Sequence, residues 1–486
     1  MNVIAPIFHH ARTRPNAPAL VEGERTTNYY QLAHLVSRTS SHLRALGLIF
    51  GDRVGLCLKD DVTHVVCLLA SGWIGAIPVS LDWRAPASEN SRFIDRLGLK
   101  LVLAAPDARV AARVPTVTLD DGWHQVIRSA EPDKGAAVDW SDPFVISASS
   151  GSTGTPKFTQ MSHLQYHFAI AGMLEVMDLS GSHRYLCTLP LYYSGGRNSC
   201  IAHLLRGDCV ILYPSLFAAA EYVDLARQQK ATVGFVVPSV VRQLLMVDHG
   251  GPVLPSMRAF FCGGGPLYAE EKRQAVQKLT PNFHERYGAA EMLVVSVLRP
   301  SAIDERADSV GQPHSLVEIE VVDDDDAALP LGETGRLRYR GPGMASLDFG
   351  EPIAKSFQNC WHYPGEFARL DEYGYIFLQG RTTEVIIRSG AKIFPAEIEA
   401  CLCAHPAVAE AVVVGRQAAG HEQEVVAFVV TRSKLSLGDI TMYCRKTLAP
   451  HKVPRHFRSI DALPKLTSGK VDRLALIRLF EINGVP

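Results

Sequence analysis

The sequence predicts an α/β protein with more than one domain, and three observations support this class. The chain has 486 residues, which suggests two to four domains of about 150 residues each rather than one compact core. Hydrophobic residues make up 47% of the chain and charged residues 20%, as in ordered globular proteins. Short apolar runs alternate with helical segments, which is the pattern of sheets covered by helices.

Six apolar runs predict buried strands in the first part of the chain. Each run is short, contains β-branched residues and is bounded by turn residues. The predicted strands are residues 54–59, 100–106, 144–150, 185–191, 209–213 and 232–238. Between them, residues 63–74 and 218–229 carry apolar side chains at helical spacing. Strands and helices in alternation predict a large N-terminal domain of helix-covered sheets.

The pattern changes twice in the second half of the chain. From about residue 315, alternating strand-like runs predict a β-rich subdomain, in which the acidic run 323–326 forms a hairpin loop or, as the lesser alternative, binds a metal. After residue 380 the runs predict a small α+β unit of two helices, two strands and a polar tail. We therefore predict an N-terminal domain of residues 1–380 and a C-terminal domain of residues 381–486.

Charge and composition exclude several functional classes. The 49 basic and 50 acidic side chains give a formal net charge of −1, so no overall field attracts nucleic acid or an anionic membrane. No apolar run reaches the ~18 to 20 residues that span a bilayer, and the N-terminus lacks a signal-peptide pattern. The ten cysteines are scattered and mostly lie in apolar contexts. A cytoplasmic protein with no nucleic-acid or membrane partner is expected.

The segment SSGSTGTPK, residues 149–157, is the most informative motif. A strand that opens into glycines and hydroxyls presents backbone N–H groups and side-chain donors to a phosphate chain. The Walker pattern is absent, because the Gly-Lys-Ser/Thr sequence is missing. A flexible linker is the alternative. It is less favoured because a buried strand precedes the segment and a helix begins at Ser162 and His163.

This loop and seven further segments resemble the adenylate-forming superfamily of acyl- and aryl-CoA synthetases, peptide-synthetase adenylation domains and firefly luciferase. In chain order the further segments are residues 189–196, 262–267, 287–291, 332–342, 365–381, 386–399 and 463–473. The resemblance implies that ATP and Mg²⁺ convert a carboxylic acid into an acyl-adenylate and pyrophosphate. The acyl group then passes to a thiol, either of CoA or of the pantetheine on a carrier protein.

The resemblance also implies a set of site residues. The phosphate loop would be formed by Ser150, Gly151, Ser152, Thr153, Gly154 and Lys157. The adenine and base-stacking segments would be Gly264, Gly265 and Pro266, together with Arg286, Tyr287, Gly288, Ala289 and Ala290. Glu366 and Arg381 would contact the ribose. Glu291 would bind magnesium, and Lys470 would neutralise charge on the carboxylate and α-phosphate oxygens during adenylation.

Three positions depart from the superfamily pattern. Glu366 replaces the usual Asp, Ala290 replaces Thr, and Thr383 replaces the usual Asp or Lys at the hinge. In this superfamily the mobile C-terminal domain rotates about that hinge and exchanges the catalytic lysine for a face that admits the thiol. In this chain that thiol-step face would contain Gly390 and Lys392. The departures also motivate an alternative of another class, a catalytically silent relative that binds nucleotide.

The carboxylic acid would bind in a pocket formed by Tyr192, Tyr193, Phe235 and Cys262, although Phe235 could equally be a core residue. No acidic side chain is available for an α-ammonium group, so an ordinary α-amino acid is disfavoured. The pocket predicts a small aromatic or short acyl acid. Arg197 could bind a second carboxylate, but a place on the helix surface is favoured. The predicted acceptor is CoA, and a carrier protein or an amine is the alternative.

Overall fold

The structure is a computed structural model, and it describes residues 2–111, 113–149, 157–213, 217–247, 250–345, 347–348, 357–388, 391–417, 423–433, 435–465 and 471–482. The helices are α1 (Ala5–Thr13), α2 (Tyr29–Ala45), α3 (Val62–Trp73), α4 (Ala87–Leu97), α5 (Asp121–Ser129), α6 (His163–Met177), α7 (Ser194–Arg206), α8 (Ala219–Gln228), α9 (Pro238–Leu245), α10 (Ala269–Gln274), α11 (Ile303–Arg306), α12 (Pro395–Cys403), α13 (Leu437–Thr447) and α14 (Arg473–Ile482).

The strands occupy both halves of the chain and are short in the first half. They are β1 (Pro18–Glu22), β2 (Arg25–Asn28), β3 (Arg53–Cys57), β4 (Ile77–Ser80), β5 (Leu101–Ala104), β6 (Thr116–Thr118), β7 (Pro143–Ser149), β8 (Lys157–Ser162), β9 (Arg184–Cys187), β10 (Cys209–Leu212), β11 (Val233–Val236), β12 (Ala259–Gly263), β13 (Phe283–Tyr287), β14 (Ser296–Leu298), β15 (Gln312–Pro313), β16 (Glu318–Val322), β17 (Gly335–Arg340), β18 (Leu347–Asp348), β19 (Phe357–Gln358), β20 (Trp361–His362), β21 (Glu366–Leu370), β22 (Ile376–Arg381), β23 (Ile386–Arg388), β24 (Ala391–Ile393), β25 (Val408–Gln417), β26 (Gln423–Thr431) and β27 (His456–Ser459).

Two large sheets form the N-terminal portion. The nine-stranded sheet has the order β15-β14-β13-β12-β11-β9-β10-β1-β2, and the seven-stranded sheet has the order β18-β8-β7-β4-β3-β5-β6. The inner strands of both sheets are parallel, and the outer strands β14, β15, β2, β8 and β18 are antiparallel to their neighbours. All six strands predicted in this part are present. Their apolar residues pack α2, α3, α6 and α7 into one core between the two sheets.

Helix α6 begins where the sequence predicts it. The Ser162 hydroxyl accepts the backbone N–H of Gln165, and the Gln165 side chain accepts the backbone N–H of Ser162, which completes a capping box. The preceding strand β8 was not predicted. It pairs antiparallel with β7 and carries the chain from the end of the phosphate-loop segment to the start of the helix.

The β-rich subdomain is a six-stranded antiparallel sheet with the order β19-β20-β17-β21-β22, to which β16 adds along β17. The acidic run is a hairpin loop between β16 and β17, as predicted. One Asp323 carboxylate oxygen accepts the backbone N–H groups of Asp325 and Ala327, both at 2.9 Å, and Arg336 forms an ion pair with Asp326. These contacts give the loop a structural role.

The residues after Arg381 build their own core. Strands β25, β26 and β27 form one sheet, β23 and β24 form a hairpin, and helices α12, α13 and α14 cover the sheet. Helix α14 lies where the sequence predicted only a polar tail. The predicted class, an α/β protein with helix-covered sheets, a β-rich subdomain and an α+β unit, is confirmed. The domain boundary at residues 380 and 381 and the mobility of the C-terminal unit remain predictions. Among the described residues, no helix is both long and apolar enough to traverse a bilayer.

Candidate active site

A glycine turn follows β12 at the carboxyl edge of the nine-stranded sheet, where ligands bind in open α/β folds. Gly264 has φ +87°, a left-handed conformation that glycine adopts without strain, and Gly265 and Pro266 continue the turn on the exposed surface. The Arg242 guanidinium donates to the Pro266 carbonyl at 3.3 Å and binds both Glu271 carboxylate oxygens at 2.6 and 3.0 Å. This ion pair, which the sequence analysis missed, holds the predicted adenine segment in place.

The predicted base and ribose residues come together beside this turn. The Tyr287 hydroxyl donates to a Glu366 carboxylate oxygen, and Glu366 lies opposite Arg381 in the register of β21 and β22. Burial, and then the Glu366 charge, hold the pKa of Tyr287 well above its ordinary value. Burial, and then the charges of Glu291 and Glu366, likewise raise the pKa of Tyr339. Both predicted carboxylates therefore lie around the same buried tyrosine.

The turn after Tyr287 depends on a glycine. A Cβ on Gly288 would lie 2.1 Å from the Leu293 carbonyl oxygen, a distance that no larger residue could adopt without moving the backbone. The Ala289 carbonyl accepts the N–H groups of Met292 and Leu293 at 3.2 and 2.7 Å. Ala290 is half-buried in the same turn. This compact turn places Glu291 at the edge of the site.

Two aromatic side chains and three glycines form a second group at the same edge. A Cβ on Gly195 would lie 3.2 Å from the Tyr193 ring and 3.3 Å from the Phe235 ring. A Cβ on Gly263 would also lie 3.3 Å from Phe235, and one on Gly264 would lie 3.8 Å from the Tyr193 hydroxyl. The two rings therefore adjoin the predicted adenine turn and the glycine that precedes it. This arrangement supports the predicted acid pocket for these two aromatic residues.

Arg286 belongs to this second group. Its guanidinium carbon lies 3.7 Å from the centroid of the Phe235 ring, and its Nη1 donates to the Met173 sulfur at 3.1 Å. The side chain is 7% exposed. Burial lowers the pKa of Arg286 to about 10, while nearby Tyr185 and Tyr193 act in the opposite direction. No carboxylate of a described residue forms an ion pair with Arg286. The prediction that Arg286 belongs to the ATP-binding residues stays a prediction. The structure places its side chain beside Phe235 and Met173, on the opposite face of the sheet from Glu285.

Cys262 and Tyr192, the other two residues predicted for the acid pocket, have different neighbours in the structure. Cys262 follows Phe261 on β12 and faces the other side of the sheet, where burial and the Glu285 charge raise its pKa. Placing it in the pocket with Phe235 was wrong, because side chains alternate between the faces of a strand. The Tyr192 ring contacts Arg84, whose guanidinium carbon lies 5.5 Å from the ring centroid. Burial raises the pKa of Tyr192 to about 12.

Arg197 is not on a helix surface, and that expectation was also wrong. Helix α7 packs against strands of both large sheets, so the first turns of the helix are covered on all sides, and Arg197 is 1% exposed. Its guanidinium donates to the Ser147 hydroxyl and, at 3.4 Å, to the Asn198 amide oxygen. Both acceptors are neutral. The Asn198 oxygen also accepts the Tyr166 hydroxyl at 3.0 Å.

The predicted thiol-step face lies against the strand that carries Glu366. The Lys392 ammonium is 5.1 Å from the centroid of the Phe367 ring and 3.8 Å from an Asp324 carboxylate oxygen. Phe367 follows Glu366 on β21. The predicted hinge residue Thr383 is exposed in the turn between β22 and β23. The hairpin with Lys392 is therefore close to the predicted ribose residues in this structure.

Seven predicted site residues lie outside the described part of the chain: Ser150, Gly151, Ser152, Thr153, Gly154, Gly390 and Lys470. Lys157 is the first residue of β8, but the structure does not describe its side chain. Their roles remain predictions. Within the described ranges, no group of three or more His, Cys, Asp or Glu side chains could hold a metal ion.

Comparison with known proteins agrees over nearly the whole chain. The model of the AMP-binding enzyme family matches residues 7–347, and that of the AMP-binding enzyme C-terminal domain matches residues 397–470. Feruloyl-CoA synthase of an Amycolatopsis species is 28% identical over 477 residues, covering 95% of each protein. The fatty acid–[acyl-carrier-protein] ligase ScoC of Streptomyces coeruleorubidus is 29% identical over 491 residues, covering 96% of this chain and 94% of that protein. The structure of o-succinylbenzoate CoA synthetase from Bacillus subtilis in complex with its acyl-adenylate is 25% identical, with a TM-score of 0.88 and 97% coverage of both chains.

Proposed function

Because the chain belongs to the AMP-binding enzyme family, within the adenylate-forming superfamily that it resembles, we propose that it is an AMP-forming acid–thiol ligase. A carboxylate oxygen of a small aromatic or short acyl acid attacks the α-phosphorus of ATP, and pyrophosphate leaves. The thiol of CoA then attacks the acyl carbon, AMP leaves, and the thiol proton is released. Both steps are needed because a carboxylate is a poor electrophile, whereas AMP is a good leaving group.

The observation that carries this proposal is the position of the nucleotide residues beside the aromatic pocket. Tyr287, Glu366 and Arg381 adjoin one another. The glycine turn starts beside Arg286, the residue before Tyr287, and a Cβ on Gly264 would lie 3.8 Å from the Tyr193 hydroxyl. A nucleotide along the turn would place its α-phosphate near the mouth of the pocket. Effective catalysis requires the two reactants to be held together in this way.

Glu366 fits the ribose role although it is longer than the usual Asp. Its carboxylate accepts the Tyr287 hydroxyl, which orients it, and an ionised carboxylate has further lone pairs for the two ribose hydroxyls. Arg381 lies directly opposite on β22 and supplies a positive charge at the same place. These contacts support ATP as the bound nucleotide and weigh against loss of nucleotide binding.

Glu291 fits magnesium, because the ion prefers carboxylate oxygens and commonly takes one or two protein carboxylates together with substrate phosphates. The backbone of Glu291 is anchored, since its carbonyl accepts the Ala345 N–H at 2.7 Å. When bound, magnesium would neutralise charge on the ATP phosphates. Lys470 would add a positive charge for adenylation, delivered by the C-terminal domain.

A carrier-protein pantetheine is the second candidate acceptor. One of the relatives, ScoC, is named as a fatty acid–[acyl-carrier-protein] ligase, and the similarity covers 96% of this chain and 94% of ScoC. The two acceptors share the same thiol chemistry and differ in what surrounds it. Supplying CoA and a phosphopantetheinylated carrier protein separately distinguishes them by mass spectrometry of the acylated product.

The central test is acid-dependent exchange of pyrophosphate into ATP over a broad panel of carboxylic acids. We expect exchange with at least one acid and release of AMP when CoA is added. Lys470→Ala should reduce exchange at least 100-fold while ATP binding, measured by calorimetry, changes less than about threefold. A folded protein that binds ATP but exchanges with no acid in the panel would favour a silent nucleotide-binding relative.

A further inference from the structure

Arg286 presents a buried positive charge for which the described chain supplies no counter-ion. Its guanidinium is enclosed by the Phe235 ring, the Met173 sulfur and the rings of Tyr185 and Tyr193, all of them uncharged at neutral pH. With its pKa at about 10, the guanidinium itself remains protonated at pH 7. Removing such a cation from water without a partner is unfavourable, so proteins rarely retain one without a function.

Three other cations in the described core, which are buried or half-buried, donate to oxygen atoms. Lys272, which is 2% exposed, forms an ion pair with Glu285, and Arg206 pairs with the buried Asp208 at 2.6 Å. Arg197 lacks a carboxylate but donates to two neutral oxygens. Among the described residues, only Nη1 of Arg286 has an acceptor, and that acceptor is a weak one, a thioether sulfur.

Two nitrogens of the Arg286 guanidinium, Nε and Nη2, donate to no described residue. The side chain keeps 7% of its surface exposed. The guanidinium is a planar fork, so these two nitrogens offer two parallel N–H groups to a carboxylate. The contact with the Phe235 ring holds this fork in a fixed orientation.

The pocket between Arg286 and the adenine turn is short. A Cβ on Gly263 would lie 3.3 Å from the Phe235 ring, and the guanidinium carbon lies 3.7 Å from the centroid of that ring. Gly263 also pairs with Arg286 across β12 and β13. The Phe235 ring is therefore in contact with the guanidinium and also adjoins Gly263.

We propose that Arg286 binds a second carboxylate on the substrate, so that the acid activated by this enzyme is a short-chain or small aromatic dicarboxylate. This inference rests on the proposed function, because one carboxylate is adenylated while the other is held by the guanidinium. It also explains why the pocket combines apolar walls with a buried cation. The second carboxylate then determines which acid is preferred. An analogue that is uncharged at that end leaves the arginine without an ion-pair partner.

The test compares dicarboxylates with their monoamides, which keep the shape and remove the second charge. Malonate, succinate, glutarate and isophthalate are each assayed against the corresponding monoamide in pyrophosphate exchange, with butanoate and benzoate as monocarboxylates that lack a second charge. We expect kcat/KM to favour at least one dicarboxylate over its monoamide by about 100-fold. In Arg286→Met this preference should fall to within about threefold, chiefly through a higher KM for the dicarboxylate. Arg286→Lys should retain part of it, because Lys keeps the charge but loses the fork.

Arg197→Met is the matched control, because it also removes a buried arginine without a carboxylate partner, but one that contacts neither pocket ring. The ratio between dicarboxylate and monoamide should stay within about threefold of wild type in that variant. An equal loss for all acids in Arg286→Met would overturn the inference, as would a wild-type enzyme that prefers monocarboxylates. Exchange with monocarboxylates alone would leave the proposed ligase function intact, whereas no exchange with any acid would overturn both proposals.

Discussion

A buried cation lies at each face of strand β13, and the two cations differ in whether a described carboxylate pairs with them. On one face Glu285 pairs with Lys272, whose ammonium also donates to the Ala307 and Ser309 carbonyls at 2.6 and 3.0 Å. On the other face Arg286, the next residue, has an aromatic ring and a sulfur as neighbours and no carboxylate. One cation is thus fully satisfied by the fold, and the other is left with unused donors.

This difference separates a structural charge from a binding charge. The lysine lies at the closed side of the sheet, among the helices that follow β11 and β12, where no ligand could reach it. The arginine lies at the carboxyl edge beside the glycine turn, where ligands of α/β folds bind. Removing each cation should therefore have a different consequence, for stability on one face and for ligand recognition on the other.

The largest effect on stability is expected from Lys272→Met. Its removal leaves Glu285 buried without a counter-ion and two carbonyls without a donor, which should lower the free energy of unfolding by about 3 to 5 kcal/mol. Urea denaturation followed by fluorescence measures this change. The exposed Lys278 on the next turns is the control, and Lys278→Met should stay within about 0.5 kcal/mol of wild type. If both variants lose less than about 1 kcal/mol, the ion pair does not have the structural role we assign to it.

The strands of the first part of the chain could be predicted because they depend on local sequence, and so could three neighbouring residues of the candidate nucleotide site. The apolar runs predicted β3, β5, β7, β9, β10 and β11, and ordered motifs identified Tyr287, Glu366 and Arg381, which the structure brings together. Helix α14 was missed because its amphipathic sequence follows a polar segment rich in proline. The directions of Cys262 and Arg286 were missed for another reason.

The orientations of the Cys262 and Arg286 side chains depend on the alternation of side chains between the two faces of β12 and β13, and not on residue type. The sequence motifs mark a whole segment as part of the site, whereas a strand sends alternate side chains to opposite faces. Counting back along β13 from Tyr287, with side chains on alternate faces of the sheet, would have placed Arg286 and Glu285 on opposite faces. The absence of a counter-ion could not have been predicted, since it depends on residues distant in sequence such as Met173 and Phe235.

A smaller effect on stability is expected when a dicarboxylate binds to the arginine face. At a ligand concentration 100 times Kd, binding to the folded state alone should add about 2.7 kcal/mol, which corresponds to a rise of a few degrees in the apparent Tm. Thermal denaturation with ATP analogue and magnesium present measures the shift for each dicarboxylate and its monoamide. The shift should disappear in Arg286→Met and persist in Lys278→Met. An undiminished shift in Arg286→Met would place the second carboxylate elsewhere.

The smallest effect on stability is expected from Arg286→Met in the absence of ligand. The substitution loses the cation–π contact with Phe235, worth about 0.5 to 2 kcal/mol, but it also removes an uncompensated buried charge, and the two changes oppose each other. Urea denaturation should therefore give a free energy of unfolding within about 1 kcal/mol of wild type, far from the loss in Lys272→Met. A loss of 3 kcal/mol or more would instead show that Arg286 stabilises the fold as Lys272 does. In that case both buried cations would have a structural role. The burial of the Arg286 guanidinium would then be explained by packing and not by the binding of a substrate anion.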